Sequence, residues 1–404
     1  VSQDGFSNTI TLIPMNSEMK FLVLGAGMMG KALAWDLGRS RGVARVTIAD
    51  IDLLRAEEVA RFVDRPQAQP AHLDVHAIDT VVDLMKQHDA VIGAVSFRYN
   101  HILTKAAIDA RVHFFDLGGN DEVVRNQLSL DHEAREAGIL VVPNCGLAPG
   151  LANVLAARGA EKFDEVESIK IRVGGLPQHP QPPFNYQLVF SIEGLINEYT
   201  GKSTVLREGK VTQIDTLTEI ETLDFPPPLG TLEAFHTSGG ASTLPSMFEG
   251  RVKELDYKTL RYPGHCERFQ TLLDLGFASN EPIAVGSNLL TAKEFFYELL
   301  RRKLTFDGKD IVVVRVELRG RRGGAFRTLR YELIDFCDEN NNITAMMRTT
   351  SFPTSIIAQL VVRGTIAVRG VAPPEVCVPL EPFLQELERR NLHVRESWET
   401  TEDV

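Results

Sequence analysis

The sequence predicts an α/β protein in two parts, a doubly wound parallel sheet followed by a second α/β domain on an open, mixed, largely antiparallel sheet. Three observations carry that prediction. Residues 20–30, KFLVLGAGMMG, run an apolar stretch into three spaced glycines. Strand and helix signals then alternate to about residue 150, the rhythm of a parallel sheet with crossover helices. Beyond Pro149 that rhythm stops, and long strands of period two take over.

In the opening stretch, Phe21 to Leu24 reads as a buried strand and Met28 onward as a helix. Gly25, Gly27 and Gly30 fall between them with the G-x-G-x-x-G spacing of a Rossmann-type turn. Gly25 permits the turn, Gly27 admits a pyrophosphate to the backbone, and Gly30 lets helix and strand pack closely. With Ala26, Met28 and Met29 they form the expected phosphate cradle, at a helix N-terminus whose free N–H groups favour anions. A second strand, 44–50, ends at Asp50, followed by Ile51. A carboxylate there suits the adenosine ribose hydroxyls and repels a 2′-phosphate, so NAD is expected over NADP, although Arg55 lies nearby.

A helix over 53–62 leads to a short strand at 71–75. There Asp74 either meets the adenine edge, next to Val75, or caps the helix at 79–87. Strand 90–95 ends at Val95 and runs into Ser96, Phe97, Arg98, Tyr99 and Asn100. Ligands of such sheets bind beyond the carboxyl ends of the strands. Val95 and Ser96 are therefore expected at the cofactor, and Ser96, Phe97 and Tyr99 at the substrate. After a helix at 102–110, strand 112–115 ends at Asp116, a candidate acid/base that equally reads as a helix cap. A helix over 121–137 and a strand at 139–142 lead to Asn144, Cys145 and Gly146, with Cys145 either a substrate contact or a small buried hydrophobe.

In the second half, a helix at 150–159 leads to strands at 168–173, 187–190, 211–214, 311–318 and 327–336, with a basic hairpin at 319–324 and a last stretch at 343–347. Residues 353–370 read as one apolar helix, and 380–390 as another that packs back on the first domain. The expected domains are 19–150, completed by 352–395, and 151–351 for substrate binding and dimerisation. Residues 1–18 are expected to be a loose extension or tag. In the segment 259–265, Arg261 suits a carboxylate, and His265 suits either a proton exchange or, as a lone histidine after a Pro-Gly turn, a purely structural place.

Composition narrows the function. A formal charge of −11 on 404 residues disfavours a nucleic-acid partner, and no apolar run approaches a membrane span. The four cysteines form no C-x-x-C pair and suit a reducing cytoplasm, where the protein is expected. There is no H-E-x-x-H and no G-x-S-x-G, so neither metal nor serine-hydrolase chemistry is expected.

Taken together, VLGAGMMGKALAWDL, ADID, NCGLAPGLANVLA, SIEGLINEY, KTLRYPGH and GVAPPE make the chain resemble the saccharopine dehydrogenase family, specifically its L-lysine 6-dehydrogenase-like branch. The resemblance covers residues 19–375. It implies a Rossmann domain, a substrate domain with a mixed sheet, a homodimer, and NAD(P)-linked oxidation of a carbon bearing an amine. By resemblance Ser96 with Phe97, Asp116 and Leu260 to Tyr262 contact the substrate, and Asn144 to Gly146 match a family turn. Where saccharopine-type enzymes resemble one another in an arginine for the glutaryl arm, this chain has Thr237 to Ala241, TSGGA, which tilts the expected substrate towards L-lysine. The expected reaction oxidises the ε-amino carbon, and the product semialdehyde cyclises to Δ1-piperideine-6-carboxylate after ammonia is lost. Asp116 or His265 would act as the base, Arg261 would hold the α-carboxylate, and Glu193 an ammonium or simply a helix end. Saccharopine and carboxynorspermidine are the alternative substrates, and an NAD(H) sensor without turnover is the alternative of another class.

Overall fold

The computed structural model describes residues 18–306 and 308–400; of the expected N-terminal extension, 1–17 lie outside the described residues. Strands β1 (Met19–Leu24), β2 (Val43–Asp50), β3 (Ala68–His72), β4 (Ala90–Gly93), β5 (His113–Asp116) and β6 (Leu140–Val142) build the first sheet. The order is β3-β2-β1-β4-β5-β6, every neighbouring pair parallel. The direction of winding reverses between β1 and β4, and the crevice opens at that switch point. Helix Met28–Arg39 follows β1 directly and buries Ala32, Leu33, Ala34 and Leu37 against the sheet.

The second sheet is built from β7 (Glu165–Pro177), β8 (Lys202–Arg207), β9 (Lys210–Asp215), β10 (Glu221–Phe225), β11 (Gly230–His236) and β12 (Glu254–Arg261). A small separate hairpin, β13 (Pro282–Val285) with β14 (Asn288–Thr291), precedes the long pair β15 (Asp310–Arg322) and β16 (Ala325–Phe336). Strand β17 (Gly370–Val371) returns to the first sheet beside β6, whereas β18 (Arg395–Thr400) closes the edge of the second beside β16. Among the described residues, only β12 and β7 run parallel in the second sheet.

Several elements differ from the sequence reading. The strand expected at 71–75 is β3, three residues earlier, because Asp74 folds back to accept from the His76 N–H. Residues 187–190 form no strand; they run as an irregular segment into Ser191, whose hydroxyl caps helix Ile192–Tyr199. The apolar helix expected from Pro353 begins instead at Ala345 and ends at Val362, which also converts the stretch at 343–347 from sheet to helix. Thr344 supplies its N-cap by accepting from the Met347 N–H, and Pro353 sits inside it. A proline there removes one helical donor. Residues 363–370 are not helical, and Gly370 opens β17 at φ +110°.

Helix Ala345–Val362 is the seam of the molecule. It stacks Phe352 on Trp35, donates from Ser351 to the Met29 carbonyl, and donates from Ser355 to Asp36. Nearby lies a cavity of about 740 Å³, lined by six arginines: 39, 41, 348, 363, 389 and 390. Helices Met28–Arg39, Ala345–Val362 and Leu380–Glu388 all end there, and their free carbonyls explain the arginines. Arg39 donates to the Trp35 and Val63 carbonyls, Arg363 to that of Arg41, and Arg390 to that of Glu386 while pairing with Asp36. No helix of the described residues is long and apolar enough to cross a membrane.

Candidate active site

Between the two sheets lies a cleft of about 470 Å³. Its lower wall is the carboxyl edge of the first sheet: Gly27, Met28 and Met29 after β1, Ala94 to Phe97 after β4, Leu117 to Asp121 after β5, and Asn144 with Leu147 to Pro149 after β6. Its upper wall comes from β12 and from helix Ile192–Tyr199. Successive residues of a strand alternate faces, so Tyr257, Thr259 and Arg261 of β12 all face the cleft. The helix buries Ile192, Leu195, Ile196 and Tyr199, leaving Glu193, Gly194, Asn197 and Glu198 on the opposite stripe, which lines the cleft.

The walls are tied together at several points. Asn144 donates to the Ser242 hydroxyl and Asn153 to the Ala241 carbonyl; Asn197 donates to the Gly119 carbonyl, and Arg98 pairs with Glu193.

Arg261 is held rigidly. Its guanidinium lies over the rings of Tyr186 and Tyr199, 4.8 and 5.9 Å from their centroids. Its Nε donates to the Tyr199 hydroxyl at 2.9 Å, and its Nη2 stands 4.0 Å from the Glu198 carboxylate. Behind them the Tyr199 hydroxyl is 2.9 Å from His265 Nε2, whose Nδ1 meets the Phe184 carbonyl. Burial above all, then the Arg261 charge, pulls the His265 pKa down to about 3. It is a neutral support for Tyr199, and it does not line the cleft.

Glu198 is the residue that the sequence reading overlooked. Burial pushes its pKa up to about 7, against the opposing pull of Arg261. Asp121, also a lining residue, is raised by burial while accepting from Ser242.

The structure brings together Gly27, Met28, Met29, Val95, Ser96, Phe97, Glu193 and Arg261 from the expected set. Asp116 lies beneath the floor, fully buried. Its carboxylate accepts from Gln127 Nε2, the Gly118 N–H and the Asn144 N–H, and burial raises its pKa despite those bonds. It pins two cleft-forming turns. Cys145 is buried with its thiol on the Val142 carbonyl and its pKa pushed well up by burial. The Tyr262 hydroxyl donates to Pro177, and Tyr99 packs edge-on against His76; neither lines the cleft. At the far end of the first sheet, Asp50 accepts from Ala26 and Asp52 N–H groups at 2.7 and 2.9 Å. Ile51 beside it is exposed, Val75 is half-buried, and Asp74 is engaged by His76.

Family models match both parts of the chain: the saccharopine dehydrogenase NADP binding domain over residues 21–142, and the saccharopine dehydrogenase C-terminal domain over 146–392. The chain belongs to the saccharopine dehydrogenase family. Among relatives of this saccharopine dehydrogenase-family chain, a mitochondrial alpha-aminoadipic semialdehyde synthase of Mus musculus is 21% identical over 95% of this chain and 48% of its own. A saccharopine dehydrogenase [NADP(+), L-glutamate-forming] of Pyricularia oryzae is 26% identical over 64% of this chain and 58% of its own. The chain thus spans about half the length of these curated relatives. The apo saccharopine dehydrogenase (L-Glu forming) of Saccharomyces cerevisiae superposes with a TM-score of 0.78 at 18% identity, covering 95% of this chain and 100% of that one, a likeness of fold.

The glycine loop fits a dinucleotide on its own geometry. Gly25 has φ +101°, and a Cβ on Gly30 would lie 1.8 Å from the Gly25 carbonyl oxygen, so both are needed for the turn itself. A Cβ on Gly27 would meet nothing within 4 Å, which leaves its backbone open towards the cleft.

Proposed function

We propose that this protein is an NAD(P)-dependent dehydrogenase acting on the CH–NH2 group of an amino acid, and that it oxidises L-lysine at the ε carbon. The charge of the cleft carries this reading. Its ionisable lining consists of the carboxylates Asp121, Glu193 and Glu198, the guanidinium of Arg261 and the weakly acidic Tyr257. A substrate with one carboxylate and two amines matches that balance, its carboxylate on Arg261 and its amines towards the acids. The glutaryl arm of saccharopine would add carboxylates to a wall already acidic. Carboxynorspermidine, one carboxylate on a chain of amines, shares the favourable balance and is the second reading.

Gly27 to Met29 and Ala94 to Phe97 would hold the cofactor's reactive end, and Asp50 the adenosine ribose. The oxidised nicotinamide, when bound, supplies the acceptor for the hydride lost from the amine-bearing carbon. Arg261 fixes the substrate's carboxylate, with no freedom to swing because its own ring and hydroxyl contacts hold it. The apolar walls of Met28, Leu147, Val173, Phe190 and Met346 exclude water from the reacting carbon. Asp50 supports NAD as the preferred form, by like-charge repulsion of a 2′-phosphate, even though the name of the Pyricularia oryzae relative carries NADP.

A homodimer is part of the same reading. In the β13–β14 hairpin Ile283, Val285, Leu289 and Leu290 are each at least half exposed, as is Phe295 in helix Ala292–Leu304. A two-stranded hairpin with apolar side chains in water is marginal alone, and a second copy would cover it.

Absorbance of the reduced cofactor, recorded with purified protein, NAD or NADP, and lysine, saccharopine or carboxynorspermidine in turn, tests the proposal. Growth with lysine alone is expected. Silence with every amine, while NADH still binds, would instead favour a sensor without turnover.

A further inference from the structure

We propose that Glu198 is the catalytic base of this cleft, taking the proton from the substrate's amine, with Tyr199 and His265 as positioning residues for the guanidinium beside it. The inference rests on the amine-dehydrogenase reading above and assigns the step that reading leaves open.

The geometry supports it from several sides. An ammonium group cannot give up a hydride from its carbon until the nitrogen lone pair is free, so an acceptor for one N–H proton must touch the bound amine. Three carboxylates line the cleft, and two are already engaged. Glu193 is paired with Arg98, and Asp121 accepts from Ser242. Among the described residues Glu198 has no such direct bond: its carboxylate stands 4.0 Å from Arg261 Nη2, close enough to feel the charge and too far to be tied by it. Its side chain is 31% exposed, and that exposure is to the cleft.

The electrostatic surroundings fit a base working near neutrality. The ionisable groups around the Glu198 carboxyl are Arg261 and the phenols of Tyr186, Tyr199 and Tyr257, with Glu193 one turn earlier on the same helix. Burial raises all three phenols, so they stay neutral. Arg261 keeps the partly buried carboxylate ionisable, and desolvation raises its pKa to about 7. Proton transfer breaks one N–H bond of the ammonium, leaves the pair on nitrogen, and makes an O–H bond on Glu198. That pair then forms the C=N bond as hydride leaves for the oxidised nicotinamide cofactor. The proton on Glu198 passes to solvent at the open side of the cleft before the next turnover.

The supporting chain behind Arg261 gives the arrangement its stiffness. His265, neutral and buried, fixes the Tyr199 hydroxyl; Tyr199 fixes Arg261; Arg261 fixes the field at Glu198.

The test compares wild type with Glu198→Gln and Glu198→Asp, with kcat/KM measured from pH 5 to 9 for the amine that wild type oxidises best. Retained NADH affinity, read by fluorescence quenching, shows that each variant is folded. Wild type is expected to gain activity with rising pH through about 7, with one-proton slope. Glu198→Gln should lose about 10²–10⁴-fold and lose that limb, and Glu198→Asp should keep the limb at reduced rate. A Glu198→Gln enzyme within threefold of wild type, or one that keeps the limb, overturns the role of Glu198 and leaves the dehydrogenase reading standing. No turnover of any amine by wild type overturns both.

Discussion

Arg261 Nε donates to the Tyr199 hydroxyl over 2.9 Å in a fully buried setting, so the guanidinium that faces the cleft is oriented by a phenol rather than by an acid. A hydrogen bond to a charged group is worth about 1.5–3 kcal/mol. Tyr199→Phe keeps the ring under the guanidinium and removes that bond together with the one between the hydroxyl and His265 Nε2. It should raise KM for the carboxylate-bearing substrate about tenfold, with kcat changed much less. Initial-rate kinetics at saturating cofactor check this; an unchanged KM would detach Tyr199 from substrate binding.

Asp116 holds three donors at once beneath the cleft floor. In Asp116→Asn one carboxylate oxygen becomes an NH2 facing groups that also donate. The expected cost is roughly 1–3 kcal/mol of stability, with activity falling only as far as the fold does. Thermal melting and turnover measured on the same sample decide it. A variant as stable as wild type yet inactive would return Asp116 to the chemistry.

At the other end of the cofactor groove, Asp50 ties its own turn together through Ala26 and Asp52. Asp50→Ser keeps an acceptor and removes the charge. Direct titration should then find NADP binding gained, and NAD binding weakened by about tenfold, roughly one lost charged hydrogen bond. If the NAD to NADP ratio does not move, specificity lies elsewhere.

The exposed hairpin predicts an association behaviour. Leu289→Asp with Phe295→Asp places charge on a patch proposed to meet a second copy. Light scattering should give a dimer mass for wild type and a monomer mass for the double variant, both with native circular dichroism. A wild-type monomer would dismiss the interface.

Two buried histidines, His88 and His265, and the half-buried His113 shape the acid side of the stability curve. Burial lowers the pKa of His265 to about 3 and those of His88 and His113 to about 4. A depressed folded pKa adds stability above the unfolded value of 6.5, and that stability drains away as pH falls towards the folded one. The melting temperature should therefore drop between about pH 6.5 and 4. His88 accepts from the Thr47 hydroxyl while its other ring nitrogen meets the Leu84 carbonyl, which is the neutral tautomer's pattern. His88→Gln should flatten part of the slope in melts run across that range.

The parts of the molecule legible in the sequence were those with short-range causes. The strand–glycine–helix turn announces itself because Gly25 and Gly30 are demanded by backbone geometry within a few residues. Arg261 was legible as an arginine in a motif, and its place on the cleft face follows from strand alternation. Glu198 was not, because a polar helix stripe looks the same whether it meets water or a cleft, and only the tertiary fold decides between them. Asp116 misled for a related reason, whereas Cys145 took the buried one of its two expected places. They end strands that point at the crevice, yet their side chains turn under the floor to satisfy buried N–H and C=O groups. Pro353 misled as to the long helix, since Thr344 starts it two turns earlier.

The return of β17 to the first sheet has a consequence for synthesis. The Val371 N–H donates to Asp131 across 240 positions of chain, and its strand borders β6. During translation the nucleotide-binding layer emerges first but waits with an open edge until almost the whole second sheet has left the ribosome. The maturing chain thus carries an unpaired β6 edge through most of its birth, the kind of open strand edge that can pair with another chain.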